Sequence, residues 1–539
     1  MKYLSFSALG TLGLSLLLLG GCKKDPVVTE EVDPTKPLVP FTCQAPAEST
    51  NYSLFPLGSG GAGVGDVMPY YDAPSGLTYV YYLRDVYQGP TQRHPVNAFT
   101  TNNFVSYTQT SAGEVLSSSA ATCAQDFAIG TGSVVQRNGT YYFFYTGNNP
   151  NAANCTNQKE GVMLATATGP NQKFAKQTSF ATIYAPTGQG YDANDNFRDP
   201  YVYLNTDNNQ YVLLVAARKN VGNGVFKGVI AQYTSANLLS WNYQGVLYDG
   251  AFDNFFNMEC PSVFKLSGMY YLMFSDQTSQ QVFYRKGPSF NGPWGKPSGT
   301  ARFDGTGFYA AKTVIDNSGN ASVLAWVNRL DGSTDAGGRM FGGNLVTHKL
   351  YQLANGDLGV AILPALKTQL EAKPVELHVN AKAGDITTAA ANTFTLNSAS
   401  ATFLNSVVFD PVAAARFKVS TTINYSSATK DFGFLLGACD NYNAFYSLRF
   451  VPTQNRFSLD RTDRRNVTLS SATADVPFRL SPNTDYQVEI VEENSVVVVY
   501  LNGVAALSCR MYRAPQSSWG LFADNATATF KNVTVTTTQ

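Results

Sequence analysis

The chain has 539 residues and carries Lys plus Arg and Asp plus Glu at 38 each, so its length requires two or more domains with sizeable cores and its balanced charge gives no field to attract nucleic acid. Aromatics at 13% nearly match charged residues at 14%, and with 45 Gly and 31 Tyr this composition describes an all-β extracytoplasmic protein. The clefts of such a protein meet polar, uncharged ligands, the class to which sugars belong.

The first 22 residues, MKYLSFSALGTLGLSLLLLGGC, place one Lys ahead of an apolar run that ends in Gly20 and Gly21 before Cys22. Residues 1–21 read as a signal peptide and Cys22 as the residue that carries lipid after cleavage, the pattern of bacterial lipoproteins. The apolar run is short for a spanning helix, and a polar, Pro-containing tether over 22–50 follows it. The expected location is the bacterial outer membrane, on the cell surface or the periplasmic face, with the lipid as the only membrane contact and the protein a monomer. Disulfides are permitted there, and Cys123 with Cys155 and Cys439 with Cys509 are candidate pairs.

From Gly76 one pattern recurs five times: GLTYVYYLRD, GTYYFFYTGN from Gly139, NQYVLLVAAR from Asn209, GMYYLMFSD from Gly268 and NASVLAWVN from Asn320. Each copy is a turn followed by a short aromatic and aliphatic run, and the copies lie roughly 50 to 70 residues apart, a period that suits four-stranded propeller blades. Ahead of each copy comes another strand, which opens on GDVMPYY, GTGSVVQ, FRDPYVY, MECPSVF or FYAAKTV. A five-bladed β-propeller over 51–366 is therefore predicted, then a connector over 367–392. Short alternating strands over 393–539, such as ARFKVSTTI and SVVVVYL, predict a C-terminal β-sandwich that braces the propeller.

The first strand of each blade lines the axial channel, so residues at the same end of these strands converge. Asp66 precedes Tyr79 by 13 residues, Asp199 precedes Tyr211 by 12 and Glu259 precedes Tyr270 by 11, which places three carboxylates at one mouth. Pro69, Pro200 and Pro261 are expected to fix where each strand joins the channel wall. Tyr309 falls at the axial position of the fifth blade as a substrate wall. His94 and a calcium site in DANDNFRD (192–199) are weaker candidates, and no metal or cofactor is expected.

Paired carboxylates are the equipment of glycoside hydrolysis. Glu259, longer and set between Met258 and Cys260, suits the acid whose proton is held by an apolar setting. Asp66, in the Gly-rich GSGGAGVGD stretch, is expected to stay ionised by collecting backbone donors, and Asp199 by its neighbour Arg198.

FRDP (197–200), ECP (259–261), GTGSVV with FYTGN (144–148), and FDGTGFYAAKT from Phe303 together resemble glycoside hydrolase family 32, the invertase, inulinase and levanase group of five-bladed propellers. The resemblance implies a retaining hydrolase of fructans or other β-fructofuranosides. Asp66 is its nucleophile, Asp199 its transition-state stabiliser and Glu259 its acid/base, while Arg198, Ser133, Asp304 and Tyr309 contact an oligo- or polysaccharide substrate. At Gly65-Asp66-Val67-Met68-Pro69 the chain departs from the family's Asn-Asp-Pro-Asn-Gly, which leaves Asp72 and Asp85 as rivals to Asp66. An inverting arabinanase-like furanosidase and a non-catalytic glycan-binding lipoprotein are the alternatives.

Overall fold

The computed structural model describes residues 49, 51–88, 91–155, 158–250, 253–299, 301–398, 404–439, 444–461, 468–469, 472–512 and 518–538. The predicted signal peptide, Cys22, Cys43 and the tether as far as Glu48 lie outside the described residues.

Five antiparallel blades follow one another along the chain. Their inner strands are Val64–Asp72, Ala128–Arg137, Arg198–Asn205, Met258–Leu266 and Phe308–Ile315 (blades I to V), and each pairs with the predicted aromatic strand that comes next. Neighbouring inner strands pack against each other from I through V and back to I, which closes the ring. Blades I and V also share one ladder step, Val64 opposite Gly343. The aromatic runs fill the spaces between blades: Tyr81 packs on Phe143 and Phe174, and Phe144 on Trp241.

All five inner strands carry a β-bulge at the same height. The register slips between Val64 and Val67, Gly130 and Gly132, Arg198 and Tyr201, Glu259 and Ser262, and Tyr309 and Lys312. A bulge turns the strand and re-aims its side chains. In three blades its first extra residue is a non-glycine in the left-handed region, Asp199 at φ 59°, Cys260 at φ 51° and Ala310 at φ 56°. Such backbone costs about 1 kcal/mol or more per residue and collects at functional sites. Blade I has Gly65 there, where a Cβ would lie 2.4 Å from the Phe341 ring. Pro200 and Pro261 occupy the second bulge position, whereas Pro69 lies beyond the bulge, paired with Val80, so it does not share their job.

The second domain is a two-sheet sandwich threaded by two long strands, Arg416–Cys439 and Ser518–Thr537, which pair with each other and run from one sheet into the other. Its core joins Val419, Ile490 and Val499 of one half to Phe432, Phe450 and Phe457 of the other. The stretch expected as a connector is already structured: Pro364–Leu370 is helical, Lys373–Val375 pairs with 535–537, and Val379–Ala383 pairs with 406–409. Cys123 and Cys155 form a disulfide. The second candidate pair is not made, because Cys509 is a free thiol buried in the sandwich with its Sγ 3.4 Å from the Val497 carbonyl.

One apolar core runs through both domains, with Phe308, Ala325 and Val346 of blade V against Val491, Val498 and Tyr500 of the sandwich. At its centre sits Asp304, 1% exposed. Its carboxylate accepts the Ser508 N–H at 2.7 Å and the Ser508 hydroxyl at 2.6 Å, and lies 2.9 Å from His348 Nε2. Gly307 completes the approach, since a Cβ there would fall 2.1 Å from the Ser508 carbonyl oxygen. The predicted substrate role of Asp304 is thus replaced by domain docking: the loop that carries it turns into the sandwich before the inner strand of blade V begins. Asp304→Ala, which leaves the Ser508 donors unpaired in the core, is expected to lower unfolding free energy by roughly 2 to 4 kcal/mol while the folded fraction keeps its activity. Urea melts read the first effect and turnover per folded molecule the second.

Candidate active site

The three predicted acids meet at one end of the axis, but not on equivalent positions. Glu259 stands just before the bulge, Asp199 is a first bulge residue, and Asp66 is a second bulge residue, where blades III and IV have Pro200 and Pro261. The near-equal sequence offsets hide this, because they also count the inner strand, the turn and the place of the tyrosine: Asp66 and Asp199 lie six residues before their last paired residues, Asp72 and Asn205, and Glu259 lies seven before Leu266, while four residues link the paired ends in blades I and III and two in blade IV.

Residues that flank the bulge before it in blades III, IV and V form a hydrogen-bonded row. The Arg198 guanidinium reaches Glu259 Oε1 from both Nη2 at 2.5 Å and Nε at 3.2 Å, and Tyr309 donates its hydroxyl to Glu259 Oε2. Arg198 Nη1 also lies 3.3 Å from Glu160, a 5% exposed carboxylate of blade II that accepts the Phe197 N–H at 2.9 Å. Arg198 therefore holds Glu259 rather than the Asp199 carboxylate beside it in sequence. Asp199 accepts the Cys260 N–H at 2.9 Å, and its own N–H donates to the Thr146 hydroxyl at 2.8 Å.

Asp66 takes its donors from side chains, not from the Gly-rich backbone. The Thr131 hydroxyl donates to Oδ2, Trp326 Nε1 donates to Oδ1 at 3.1 Å, and the Cys260 thiol lies 3.7 Å from Oδ2. Burial lifts the Asp66 carboxyl above its ordinary range; the Thr131 hydrogen bond opposes this, and the Glu259 charge adds to it. Asp199 is pushed up to about 7, first by burial, against the pull of Arg198 and with help from Glu259 and Asp66. Cys260 is held well above its usual value by burial and by these acids, so it stands as a neutral thiol. The Tyr309 hydroxyl is raised by burial and by Glu259, and remains a proton donor to it.

Asp66, Asp199, Glu259, Arg198 and Tyr309 are thus brought together. Ser133 is not: its hydroxyl accepts the Val202 N–H at 2.8 Å and ties blade II to blade III. The residue of GTGS that reaches the acids is Thr131, marked in the sequence only by its flanking glycines. Asp72, the first rival, caps the turn at the other end of its strand, taking the Ser75 hydroxyl at 2.6 Å and the Tyr141 hydroxyl at 2.7 Å. Asp85 lies 3.4 Å from Arg329. His94 stacks on Phe341 with 4.3 Å between centroids, and burial lowers it to about 4. In DANDNFRD, Asp192 faces Arg218 at 3.6 Å and Asp195 faces Lys159 at 2.9 Å. Trp326, Glu160, Thr146 and Lys312 complete the site without having been read from the sequence.

A five-bladed propeller with acids gathered at one end of its axis, backed by a docked sandwich, defines a two-domain protein of the glycoside hydrolase type. The chain belongs to glycoside hydrolase family 32: residues 92–349 match the Glycosyl hydrolases family 32 N-terminal domain and residues 356–535 match the GH32, BT1760-like, C-terminal domain. Asp66 precedes the first matched residue, so its place rests on the bulge geometry. A levanbiose-producing levanase of Bacillus subtilis (strain 168) is 23% identical over 425 residues, 70% of this chain and 73% of that protein. A sucrose-6-phosphate hydrolase of the same strain is 27% identical over 213 residues, 36% of this chain and only 41% of that protein. Aspergillus kawachii β-fructofuranosidase complexed with glycerol superposes with a TM-score of 0.69 at 18% identity, covering 93% of this chain and 98% of that one. Sucrose-6-phosphate hydrolase from Lactobacillus gasseri gives 0.64 at 17%, covering 90% and 94%. At these identities the two superpositions speak for the fold alone.

A carboxyl whose folded pKa lies above its unfolded one favours folding most at low pH, and that contribution is lost as pH rises from near 4 towards the folded value. Asp199→Asn keeps an acceptor for the Cys260 N–H and removes the charge. The variant is expected to melt above the parent at pH 8, by on the order of 2 kcal/mol, with the difference fading towards pH 4. Thermal melts across pH read this directly.

Proposed function

We propose that the protein is a retaining glycoside hydrolase acting on fructans or other β-fructofuranosides. The observation that carries this reading is the convergence of Asp66, Asp199 and Glu259 on successive positions of one bulge height, with Tyr309 and Arg198 gripping Glu259. The family 32 match and the levanase relative support this substrate class.

In this reading Asp66 attacks the anomeric carbon while Glu259 gives a proton to the departing oxygen. A fructosyl group is then held on Asp66 until Glu259 takes a proton from water and the ester is hydrolysed with net retention. Trp326 and Thr131 fix the two oxygens of the nucleophile in separate directions. Arg198 keeps the Glu259 carboxyl in place for both proton transfers, and Asp199 accepts hydroxyls of the sugar ring. The neutral Cys260 thiol adds no charge beside the attacking group.

Incubation with levan, inulin and sucrose tests the substrate class, and release of fructose or fructo-oligosaccharide from at least one is the expected outcome. Asp66→Asn and Glu259→Gln should each lower kcat by about 10³-fold or more while the protein still folds. NMR of the first-formed product should show the anomeric configuration of the substrate. Inversion, or release from arabinan alone, would replace this reading with the arabinanase-like one, and glycan binding without turnover would replace it with a binding protein.

The proposal extends to the outer membrane through lipid on Cys22, which rests on the leader pattern in the sequence. The full chain made in a bacterial host should partition into detergent, and Cys22→Ala should move it to the aqueous phase.

A further inference from the structure

Four carboxylates crowd the axial end of the propeller: Asp66, Asp199, Glu259 and, behind Arg198, Glu160. Arg198 is divided between Glu259 and Glu160. The other cation among the described residues that acts on these acids is Lys312, on the inner strand of blade V. With every group ionised the cluster carries four negative and two positive charges, a balance of −2, and without Lys312 it would carry −3.

Lys312 is 1% exposed. Its Nζ donates to the Gly132 carbonyl at 2.7 Å and lies 5.6 Å from the centre of the Tyr201 ring. Gly132 directly follows Thr131, whose hydroxyl donates to Asp66, and the Gly132 N–H faces Met68 Sδ at 3.1 Å. The ammonium thus ties blade V to the bulge of blade II that presents the donor to Asp66. A fully buried lysine is unfavourable unless its charge is used. Burial lowers the Lys312 ammonium from its ordinary value, and Cys260, Asp199 and Asp66 oppose this, while its charge in turn pulls Asp66 down. The other titratable groups at the site are Glu259 and Cys260 of blade IV, Tyr309 of blade V and Arg198 of blade III.

We propose that Lys312 is a positioning residue for the hydrolytic reaction, its buried ammonium holding the Thr131 bulge against Asp66 and keeping Asp66 in the ionised form that attacks. This rests on the retaining reading above, with Asp66 as nucleophile.

A nearby cation lowers a carboxyl's pKa, so removing it raises that pKa and narrows the pH range in which Asp66 is ionised. Lys312→Gln keeps an N–H for the Gly132 carbonyl and loses the charge; Lys312→Met loses both. On whichever fructan or sucrose the parent cleaves, the acid limb of the kcat/KM profile should move up by about 1 pH unit in both variants, and by more than any change in the alkaline limb. Profiles that superpose on the parent's would overturn the proposal. Lys312→Gln decides the matter where the methionine variant does not fold. ¹³C carboxyl titration of Asp66 in the parent and in Lys312→Gln reads the same displacement without turnover. An unmoved midpoint sinks the Lys312 role whatever the substrate, whereas a moved midpoint with no activity on any fructan leaves that role standing and overturns the reading of function.

Discussion

Everything in this protein that bears on chemistry depends on holding three carboxylates together in a buried place where they repel one another. At an effective dielectric near 20, two charges 4 to 7 Å apart interact by about 2 to 4 kcal/mol, enough to drive a flexible site apart. The propeller resists because its ring of inner strands is closed. Each acid is delivered by a different blade, on an inner strand that is laddered to the next strand of its hairpin and packed against the neighbouring inner strands. The repulsion is met partly by Arg198 and Lys312 and partly by protons, which is why burial and neighbouring acids lift Asp66 and Asp199 together.

The bulges make this delivery specific. An unbroken strand alternates its side chains between faces, so acids at successive positions would point apart. Left-handed backbone at Asp199, Cys260 and Ala310 breaks the alternation at one height, and Gly65 permits the same break in blade I where the Phe341 ring crowds the backbone. The strain falls where the acids are and not at the outer strands. That location is consistent with a conformation kept for what it presents rather than for stability.

Much of the architecture was legible in the sequence because it is written locally. Turn residues, aromatic runs and their spacing give the hairpins, and five hairpins at one period give a closed propeller. The acids were also legible, since a carboxylate just ahead of a channel strand has few structural reasons to be there. Their relative positions were not, because each offset also counts inner-strand length, turn length and the place of the tyrosine, and near-equal totals of these do not mean equal places in the bulge. Ser133 and Asp304 were misplaced for a related reason. A motif fixes which residues are near a site but not which way a side chain points, and Ser133 is turned towards blade III while Asp304 follows a loop into the sandwich. Glu160, Trp326 and Lys312 lie on strands whose pattern reads as core, and only the folded chain shows that Glu160 faces Arg198 while the polar atoms of Trp326 and Lys312 are turned to the acids.

The place where the sandwich docks follows from the same requirement. Blade V supplies Tyr309 to Glu259, Trp326 to Asp66 and Lys312 to the bulge of blade II, so it has contacts with every acid-bearing blade or with the donors those acids use. It is also the blade that the sandwich holds. Arg510 donates to the carbonyls of Val327 at 3.2 Å and Asn328 at 3.0 Å, the Leu330 N–H donates to the Tyr512 hydroxyl at 2.8 Å, and the Ala506 N–H donates to the Phe303 carbonyl at 2.8 Å. The N-terminal segment is drawn in as well, with the backbone N–H groups of Ser53, Leu54 and Phe55 all donating to Glu493 of the sandwich at 2.7 to 2.9 Å. The strand that carries Trp326 is therefore clamped from outside while its neighbour carries Tyr309 and Lys312 inside. Bracing the propeller and setting the positions of the donors to Asp66 and Glu259 are one mechanical act, since the blade that closes the ring is the blade that orients both acids.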